Sequence, residues 1–372
     1  MGYPGDRKAA GGRQAGPDAA AGLRRAAIAA LVMLALGAVL SACTARPAAR
    51  RAAPSPLAHV ERVFVATERN LNAPGPLFGR KRPSGLKYLS LDISVPPTHK
   101  PGRIEWPDGP PDAATDFVVT DSRVYRDARA MTRAMQRDQP GKETLVFVHG
   151  YNTTFSDAIY RFAQIRSDFA VNGPGMVYVW PSAGDPRGYA YDRDSVLYSR
   201  NAFARVLERL IAAPGQRVLL VAHSMGAQLV METLRQAALK GEQHLMARIS
   251  GVVLISPDID PDVFRRQAAV IGTLPQPFLI FVSKQDRALS LAGLLTGRKP
   301  RLGVIGEPGK LAGVKGVKVI DFTALADGEG LDHAVPITSP AAISVLRGLI
   351  AQAHGGAPAF DDSMVLKAAP AP

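Results

Sequence analysis

The feature that most constrains the fold is a repeated alternation, from about residue 60 onward, of short apolar runs with longer stretches of helical periodicity. Such alternation is typical of a mostly parallel sheet that is covered by helices on both faces. The apolar runs are continuous, as in LVFV at 145–148, which predicts strands buried on both faces. We predict eight strands, at residues 63–66, 88–95, 145–148, 176–180, 218–222, 252–255, 278–282 and 317–320.

Predicted helices separate the later strands, whereas no long helix separates the first two. The first two strands are therefore predicted to form an antiparallel pair, and the other six are predicted to run parallel. Helical patterns occur near residues 122–137, 156–170, 195–212, 225–240, 261–269 and 339–352. Because the chain has 372 residues and is 47% apolar, it can bury a substantial core. We predict that residues 59–354 form this α/β domain.

The N-terminus has the pattern of an export signal that ends at the only cysteine of the chain. Arg24 and Arg25 precede an uncharged run over 26–42, and Cys43 follows it directly. The sequence Leu-Ser-Ala-Cys that ends there resembles the lipobox of bacterial lipoproteins, in which the cysteine thiol receives a diacylglycerol. This predicts a lipoprotein signal peptide over 1–43 and a lipid anchor in a membrane of the cell envelope, with the protein facing the periplasm or the exterior. The alternative is an uncleaved membrane anchor, because the run approaches the ~20 residues that span a bilayer.

Two segments that flank the predicted domain lack the periodicity of a helix or a strand. Residues 44–58 are rich in Ala, Pro and Arg, a composition typical of an extended linker between a lipid and a domain. Residues 355–372 are predicted to be a disordered tail.

The composition excludes several classes of partner and cofactor. Removal of residues 1–43, with five Lys or Arg and two Asp, lowers the formal charge from +13 to about +10. These cations are scattered and not interleaved with aromatic residues, so a solvated basic surface is favoured over a nucleic-acid site. The single cysteine excludes an internal disulfide framework. We find no phosphate-binding glycine loop, paired glycosidase carboxylates or clustered metal ligands, and therefore expect no cofactor and no metal.

The segment around Ser224 combines a strand, a sharp turn and a helix. The predicted strand at 218–222 leads into His223, Ser224, Met225 and Gly226, where a helix begins. This order is typical of a nucleophile elbow, in which a strained turn projects a serine hydroxyl above the sheet. Ala at 222 replaces the usual first glycine but keeps the small size that the turn needs. The alternative is that Ser224 only caps the helix.

A serine nucleophile needs an imidazole to accept its proton. Three histidines follow Ser224 in the chain, the order that a nucleophile elbow requires. His244 belongs to the end of the next helix, and His354 is close to the C-terminus. His333 lies in the loop after the last predicted strand and is therefore the predicted base.

The acid that orients the imidazole should also follow the end of a strand. Asp286 comes after the penultimate predicted strand and is the favoured acid. Asp258, after the preceding strand, is the alternative, although it could instead support its loop or cap the next helix. Asp332 is too close in sequence to His333 to reach around the ring easily.

The oxyanion formed by serine attack needs backbone donors, and two segments offer them. One predicted donor is the N–H of Met225 at the start of its helix. The other is the N–H of Tyr151, in the loop after the strand at 145–148. Residues around these donors are predicted to line the substrate pocket, namely His149, Gly150, Asn152, Trp180, Tyr189 and His223. Asp192 is predicted to lie near the pocket as well, and the alternative for the Trp180 segment, Tyr189 and Asp192 is packing.

With these residues identified, the chain resembles the bacterial α/β-hydrolases that are grouped as domain of unknown function 900. The shared segments lie between about residues 60 and 350 and read VFVAT at 63–67, SVPPTH at 94–99, FVHGYN at 147–152, WPSAG at 180–184, AHSMG at 222–226 and SPDID at 256–260. The resemblance implies an α/β-hydrolase fold and a hydrolase, without an established substrate. We therefore expect a serine hydrolase that cleaves a small-molecule carboxylic ester through an acyl-serine intermediate. The alternative is a catalytically silent lipoprotein that uses the fold for binding or structure.

Overall fold

The computed structural model describes residues 2, 47–72, 77–83, 85–297, 299–305, 311, 313–327, 329–354 and 363–366. The chain divides into two units, Met1–Pro47 and Ala48–Pro372, and the fold below is that of the second unit. Apart from Gly2, the predicted signal peptide, including Cys43, lies outside the described residues. Among the residues that are described, no helix has the length and apolar character needed to cross a bilayer.

The main sheet has ten strands, and a separate two-stranded ribbon follows the first strand in the chain. In chain order the strands are β1 (His59–Thr67), β2 (Leu71–Asn72), β3 (Leu77–Phe78), β4 (Lys87–Val95), β5 (Val118–Tyr125), β6 (Glu143–Val148), β7 (Gly175–Val179), β8 (Arg217–His223), β9 (Ile249–Ile255), β10 (Phe278–Val282), β11 (Val317–Asp321) and β12 (Ser363–Val365). The spatial order is β12-β11-β10-β9-β8-β6-β7-β1-β4-β5, and β2 pairs only with β3. All eight predicted strands are present.

The sheet is parallel from β12 to β1, and its other two strands are antiparallel to their neighbours. The predicted antiparallel opening pair is β1 with β4. The predicted helix at 122–137 is wrong at its start, because Val118–Tyr125 pairs with β4 as strand β5. The β-branched residues of this segment favour a strand. The helix begins only after Asp127, whose side chain accepts the N–H of Ala130 as an N-cap.

The helices are α1 (Ala128–Asp138), α2 (Phe155–Asp168), α3 (Tyr189–Leu210), α4 (Met225–Leu239), α5 (Gln243–Ala247), α6 (Pro261–Ile271), α7 (Arg287–Leu295), α8 (Val335–Thr338) and α9 (Pro340–His354). Short 3₁₀ turns lie at Leu302–Val304, Thr323–Leu325 and Glu329–Asp332. Three of the helices, α5, α7 and α8, were not predicted. They have nine residues or fewer, so their sequences contain too few turns for a clear period.

Two apolar clusters cover the two faces of the sheet. Alternate residues of one strand belong to different clusters, since Val146 and Val148 face one way and Phe147 faces the other. Helices α1, α3, α4 and α6 contribute to the first cluster, and α2 and α9 contribute to the second. The continuous apolar runs in the sequence therefore come from strands that are buried on both faces.

The flanking segments are partly packed against the domain. Within the predicted linker, the N–H of Ala49 donates to the Ser156 hydroxyl at 2.9 Å. Within the predicted disordered tail, Ser363–Val365 adds β12 to the edge of the sheet beside β11. An edge strand has unpaired backbone groups that accept such an addition, which local composition alone does not reveal.

A histidine between two carboxylates fastens the loop after β4 to the end of α2. His99 Nδ1 lies 2.8 Å from Glu105, and its Nε2 lies 3.0 Å from Asp168. The His99 side chain is 10% exposed. Burial opposes a charge on this ring, but the bonds to Asp168 and Glu105 outweigh it and raise the pKa of His99 to about 9.

The raised pKa predicts a pH-dependent contribution of His99 to stability. This contribution is complete below the ordinary pKa of about 6.5 and is lost as the pH rises through about 9. We expect the free energy of unfolding, measured with urea, to fall between pH 6.5 and 9.5 by on the order of 2 kcal/mol more in wild type than in His99→Gln. If the free energy of unfolding changes equally with pH in the two proteins, the charged form of His99 does not contribute to stability.

Candidate active site

Ser224 occupies a strained turn between β8 and α4. Its backbone has φ 53° and ψ −121°, in a region that side-chain-bearing residues rarely adopt. The turn is held by the backbone, because the N–H of Ser224 donates to the carbonyl of Ile255 at 2.9 Å. Ser224 stands at the N-cap position of α4, but its side chain makes no capping hydrogen bond. The geometry is thus that of an elbow, and the hydroxyl is directed elsewhere.

Small residues allow the elbow to pack against the loop after β6. A Cβ atom at Gly226 would lie 2.3 Å from the carbonyl oxygen of His149. A Cβ atom at Gly150 would lie 2.9 Å from the Cβ of Ser224. Both distances are well below van der Waals contact, so each position requires glycine. The loop after β6 therefore lies directly beside the serine.

The side chains of Ser224, His333 and Asp286 form one hydrogen-bonded chain. His333 Nε2 lies 2.8 Å from Ser224 Oγ, and His333 Nδ1 lies 2.7 Å from Asp286 Oδ2. Asp286 is completely buried, and its other carboxylate oxygen accepts the N–H of Leu289 at 2.8 Å. The same carboxylate thus caps α7 and contacts the imidazole. The three residues follow β8, β10 and β11, whose carboxyl ends lie on one edge of the sheet.

This arrangement can move a proton away from the serine. When the Nδ1 proton is directed at Asp286, Nε2 of His333 is left as the acceptor for the Ser224 hydroxyl. A serine that loses its proton in this way becomes a competent nucleophile, and the carboxylate stabilises the imidazolium that forms.

Asp258, the alternative acid, lies in a different polar cluster. Its Oδ1 is 2.8 Å from Nε of Arg301, and both side chains are buried. The Tyr189 hydroxyl donates to Asp258 Oδ2 at 2.9 Å, and Arg301 Nη2 donates to the Tyr189 hydroxyl oxygen at 2.7 Å. Burial and the nearby carboxylate raise the pKa of Tyr189 to about 12. Asp258 is therefore committed to Arg301, and Asp286 is the carboxylate at the imidazole.

The loop that holds Tyr151 and Asn152 is anchored on both sides. The Tyr151 ring packs edge-on against the ring of Tyr189 at 5.3 Å, and its hydroxyl donates to the carbonyl of Pro186. Asn152 has φ 57°, and its N–H donates to Asp192 at 3.0 Å. Met225 is the first residue of α4, where backbone N–H groups have no acceptor within the helix. The assignment of the Tyr151 and Met225 N–H groups to an oxyanion site remains a prediction.

Two residues that were predicted to line the pocket are instead buried beneath the loop. His149 is 2% exposed, and its ring stacks on that of Trp180 at 4.8 Å. The Trp180 indole N–H donates to the His149 carbonyl at 2.8 Å. Burial lowers the pKa of His149 to about 3, so this ring is neutral near pH 7. These side chains support the loop from below, in line with the packing alternative for Trp180.

His223 lies beside the proposed base. Its Nε2 is 3.1 Å from the backbone carbonyl of His333, and the two rings are 4.6 Å apart. Burial, with the adjacent His333, holds the pKa of His223 well below its usual range. The neutral ring can thus donate to the His333 carbonyl and fix the loop that carries the base.

Two buried charged residues, Arg69 and Asp192, support the site, and only Asp192 was predicted to lie near the pocket. Arg69 donates from Nε to the Trp180 carbonyl at 3.0 Å and from Nη2 to the Thr153 carbonyl at 2.6 Å. Asp192 accepts the Ser182 hydroxyl and the Ala183 N–H at 2.6 Å each, besides the Asn152 N–H. Both lie in stretches that contain other charged residues, so the sequence alone does not single them out as supports of the site. Their shared function is to join the loops after β6 and β7.

Asp192 is predicted to be a positioning residue for the loop of Tyr151. In Asp192→Asn, an amide NH₂ faces a hydrogen-bond donor, which should displace either Asn152 or Ala183. We expect about a 10- to 100-fold loss in the rate of Ser224 acylation, with a smaller change in KM. Asp194→Asn, at an exposed position of the same helix, is the control. Equal acylation rates for the two variants would show that Asp192 has no such role.

Comparison with protein families identifies the chain. The family described as alpha/beta hydrolase of unknown function (DUF900) matches residues 127–352, which is more than half of the chain. The chain belongs to this α/β-hydrolase family. The eight-stranded prediction thus has the correct fold class, although the sheet has two further strands. Comparison with curated proteins gave no match.

Several solved structures are similar to this α/β-hydrolase at low identity. A dienelactone hydrolase from Anabaena variabilis is 11% identical, with a TM-score of 0.34, and the match covers 71% of this chain and 90% of that one. Fungal esterases from Rhizomucor miehei are 15% identical, with a TM-score of 0.36, and the match covers 82% and 86%. Esterase 2 of Thermogutta terrifontis is 13% identical, with a TM-score of 0.36, over 73% and 91%.

The segments that carry the family resemblance cluster in this α/β-hydrolase. The segments at 147–152, 180–184, 222–226 and 256–260 follow or include the carboxyl ends of β6, β7, β8 and β9. Parallel strands place these ends on one edge of the sheet, where ligand sites of open α/β sheets are found. The family segments therefore surround Ser224.

Proposed function

We propose that this α/β-hydrolase is a serine hydrolase that cleaves carboxylic esters through an acyl intermediate on Ser224. The observation that carries the proposal is the hydrogen-bonded chain from Ser224 Oγ through His333 to Asp286, with distances of 2.8 and 2.7 Å. The strained elbow supports it, because an N-cap serine would not need φ 53° and would bond its own helix.

The proposed reaction has two halves. Ser224 Oγ attacks the ester carbonyl while His333 Nε2 takes the hydroxyl proton, and the imidazolium then gives that proton to the departing alcohol. Water next attacks the acyl-serine, again with His333 as base, and the carboxylic acid leaves as the serine regains its proton. Asp286 keeps the imidazole oriented throughout. The N–H groups of Met225 and Tyr151 are the proposed donors to the oxyanion.

The proposal also places the protein in the cell envelope, anchored by a lipid on Cys43. It rests on the basic pair, the uncharged run and the position of the only cysteine. In cells that export the protein, wild type is expected in the membrane fraction, and Cys43→Ser is expected to move to the soluble fraction. Membrane association of Cys43→Ser equal to wild type would favour an uncleaved anchor.

Labelling with a fluorophosphonate probe tests the serine chemistry. Wild type should be labelled, and Ser224→Ala should not. Ser256→Ala is the matched control, because Ser256 also follows a buried strand with positive φ, at 44°, and lies outside the proposed machinery. It should keep the label. No labelling of folded wild type would favour a silent fold that serves in binding.

A further inference from the structure

A basic cavity of about 390 Å³ lies among the loops near the carboxyl edge of the sheet. Its charged lining residues are Arg80, Lys81, Asp185 and Arg187, and its neutral wall is formed by Ala183, Gly188 and Tyr191. Ala183 belongs to the loop after β7, and Tyr191 belongs to the first turn of α3. The cavity is thus built on the same loops that support the site of Ser224.

The cavity has an excess of positive charge. Arg187 pairs with Asp185 through two hydrogen bonds, at 3.0 and 2.7 Å, so these charges offset each other. The bonds to Arg187, with a further contribution from Arg80, hold the pKa of Asp185 well below its usual range. Neither Arg80 nor Lys81 has a salt bridge to a carboxylate within the described part of the chain. Two positive charges therefore remain for a ligand.

The segment that carries these two cations is fixed to α3. The Tyr191 hydroxyl donates to the carbonyl of Arg80 at 2.6 Å. Arg82 lies over the Tyr191 ring at 3.9 Å, and its Nε donates to the Ser195 hydroxyl at 2.9 Å. The Tyr198 hydroxyl donates to the carbonyl of Pro83 at 3.0 Å. These contacts hold the backbone of the segment, so the charges of Arg80 and Lys81 are presented from a defined position.

Tyr151 connects the cavity with the nucleophile. The preceding residue, Gly150, packs against Ser224. At the other end, the Tyr151 hydroxyl donates to the carbonyl of Pro186, which lies between the two cavity residues Asp185 and Arg187. One tyrosine side chain thus spans from the loop beside Ser224 to the segment that forms the wall of the cavity.

We propose that this cavity is a subsite for an anionic group, a carboxylate or a phosphate, on the ester that is cleaved at Ser224. The inference rests on the proposed function and adds a substrate class to it. Arginine and lysine bind these anions by charge-assisted hydrogen bonds. The preference comes from Arg80 and Lys81, since Asp185 already neutralises Arg187. An ester with only neutral groups would leave these two cations without a partner.

Matched pairs of chromogenic esters test the subsite. One p-nitrophenyl ester has an acyl chain that ends in a carboxylate, and the other has a chain of equal length that ends in a methyl group. For wild type we expect a KM about 5- to 10-fold lower for the anionic ester, with similar kcat. The double variant Arg80→Gln/Lys81→Gln should lose this preference. Arg217→Gln, an exposed arginine at the start of β8 on the opposite edge, should keep it.

Two further measurements separate the subsite from the chemistry. Labelling by a neutral fluorophosphonate should be equal in wild type, the double variant and Arg217→Gln. Inorganic phosphate, titrated calorimetrically into Ser224→Ala protein, should bind, and the double substitution should abolish binding.

Each contrary outcome has one meaning. Normal labelling with equal KM values for the two esters would overturn the subsite and leave the proposed function intact. Phosphate binding without an ester preference would also overturn it, because the cavity would then serve a free anion. No labelling of wild type would instead remove the proposed function, and the substrate subsite with it.

Discussion

Asp286→Asn is expected to lower kcat for ester hydrolysis by about 10³- to 10⁴-fold, because the amide cannot hold His333 in the tautomer that accepts the serine proton. Asparagine retains an oxygen that can accept the Leu289 N–H, so α7 should remain capped. The expected loss is therefore catalytic, and the free energy of unfolding should change little. Steady-state kinetics with a short-chain p-nitrophenyl ester, together with urea unfolding, measure both quantities.

Asp260→Asn is the matched control for this prediction. Asp260 follows β9, caps α6 through the N–H groups of Asp262 and Val263, and lies outside the hydrogen-bonded chain of Ser224, His333 and Asp286. Because asparagine is an equally good N-cap, this variant should keep wild-type kcat and stability. A wild-type kcat in Asp286→Asn would mean that the buried carboxylate does not orient the base.

Asp258→Asn is expected to lower the free energy of unfolding by about 3–5 kcal/mol. The substitution leaves the buried guanidinium of Arg301 without its carboxylate, which lies at 2.8 Å in wild type. Urea unfolding measures the loss. Tyr189→Phe removes the hydroxyl but leaves the ion pair, so it should lower the free energy of unfolding by only about 1 kcal/mol.

A double-mutant cycle separates the ion pair from other effects at Asp258. Asp258→Asn combined with Arg301→Met removes both charges, so the double variant should be more stable than the sum of the single losses predicts. Strict additivity of the two single variants would contradict a coupled pair. A loss in Asp258→Asn below 1 kcal/mol would show that Arg301 finds another partner or water.

Ser224 and His333 could be predicted because, in a parallel sheet, the order of the strands in the sequence indicates which residues meet at one edge. Residues that follow consecutive parallel strands arrive at one edge of the sheet, so Ser224 and His333 could be paired without coordinates. Asp286 was favoured over Asp258 because it follows the penultimate predicted strand, but topology alone leaves both acids open, since both follow strands that end at that edge. Only the partner of each carboxylate, His333 or Arg301, distinguishes them.

Other features depended on contacts that are distant in sequence. His149 looks like a pocket residue from its position in a loop, but packing on Trp180 buries it. Arg69 looks like an ordinary charge after a strand, and its hydrogen bonds, like those of Asp192, appear only when the loops after β6 and β7 are brought together. The predicted helix at 122–137 is wrong over strand β5, because the pairing of this segment with β4 is a contact between residues distant in sequence.

The basic cavity would fix the orientation of a substrate that is bound at the proposed site. Ser224 and its partners define where a bond is cleaved, whereas Arg80 and Lys81 lie to one side, beyond Tyr151. A substrate that is bound at both places would be held in one orientation, which fixes the ester relative to the nucleophile. Asp192, the predicted positioning residue, accepts hydrogen bonds from the loop after β6 and from the loop after β7.

The role of Ser224 as the nucleophile is tested by locating the acyl group during turnover. Wild-type protein mixed briefly with p-nitrophenyl acetate and quenched in acid should carry one acetyl group, after a burst of p-nitrophenol equal to the enzyme present. Trypsin releases residues 218–235, between Arg217 and Arg235, and Ser224 is the only serine in that peptide. We expect the acetyl group on Ser224 of this peptide, and no acetyl group in Ser224→Ala. Hydrolysis without acetylation there, or with acetylation of another residue, would contradict it.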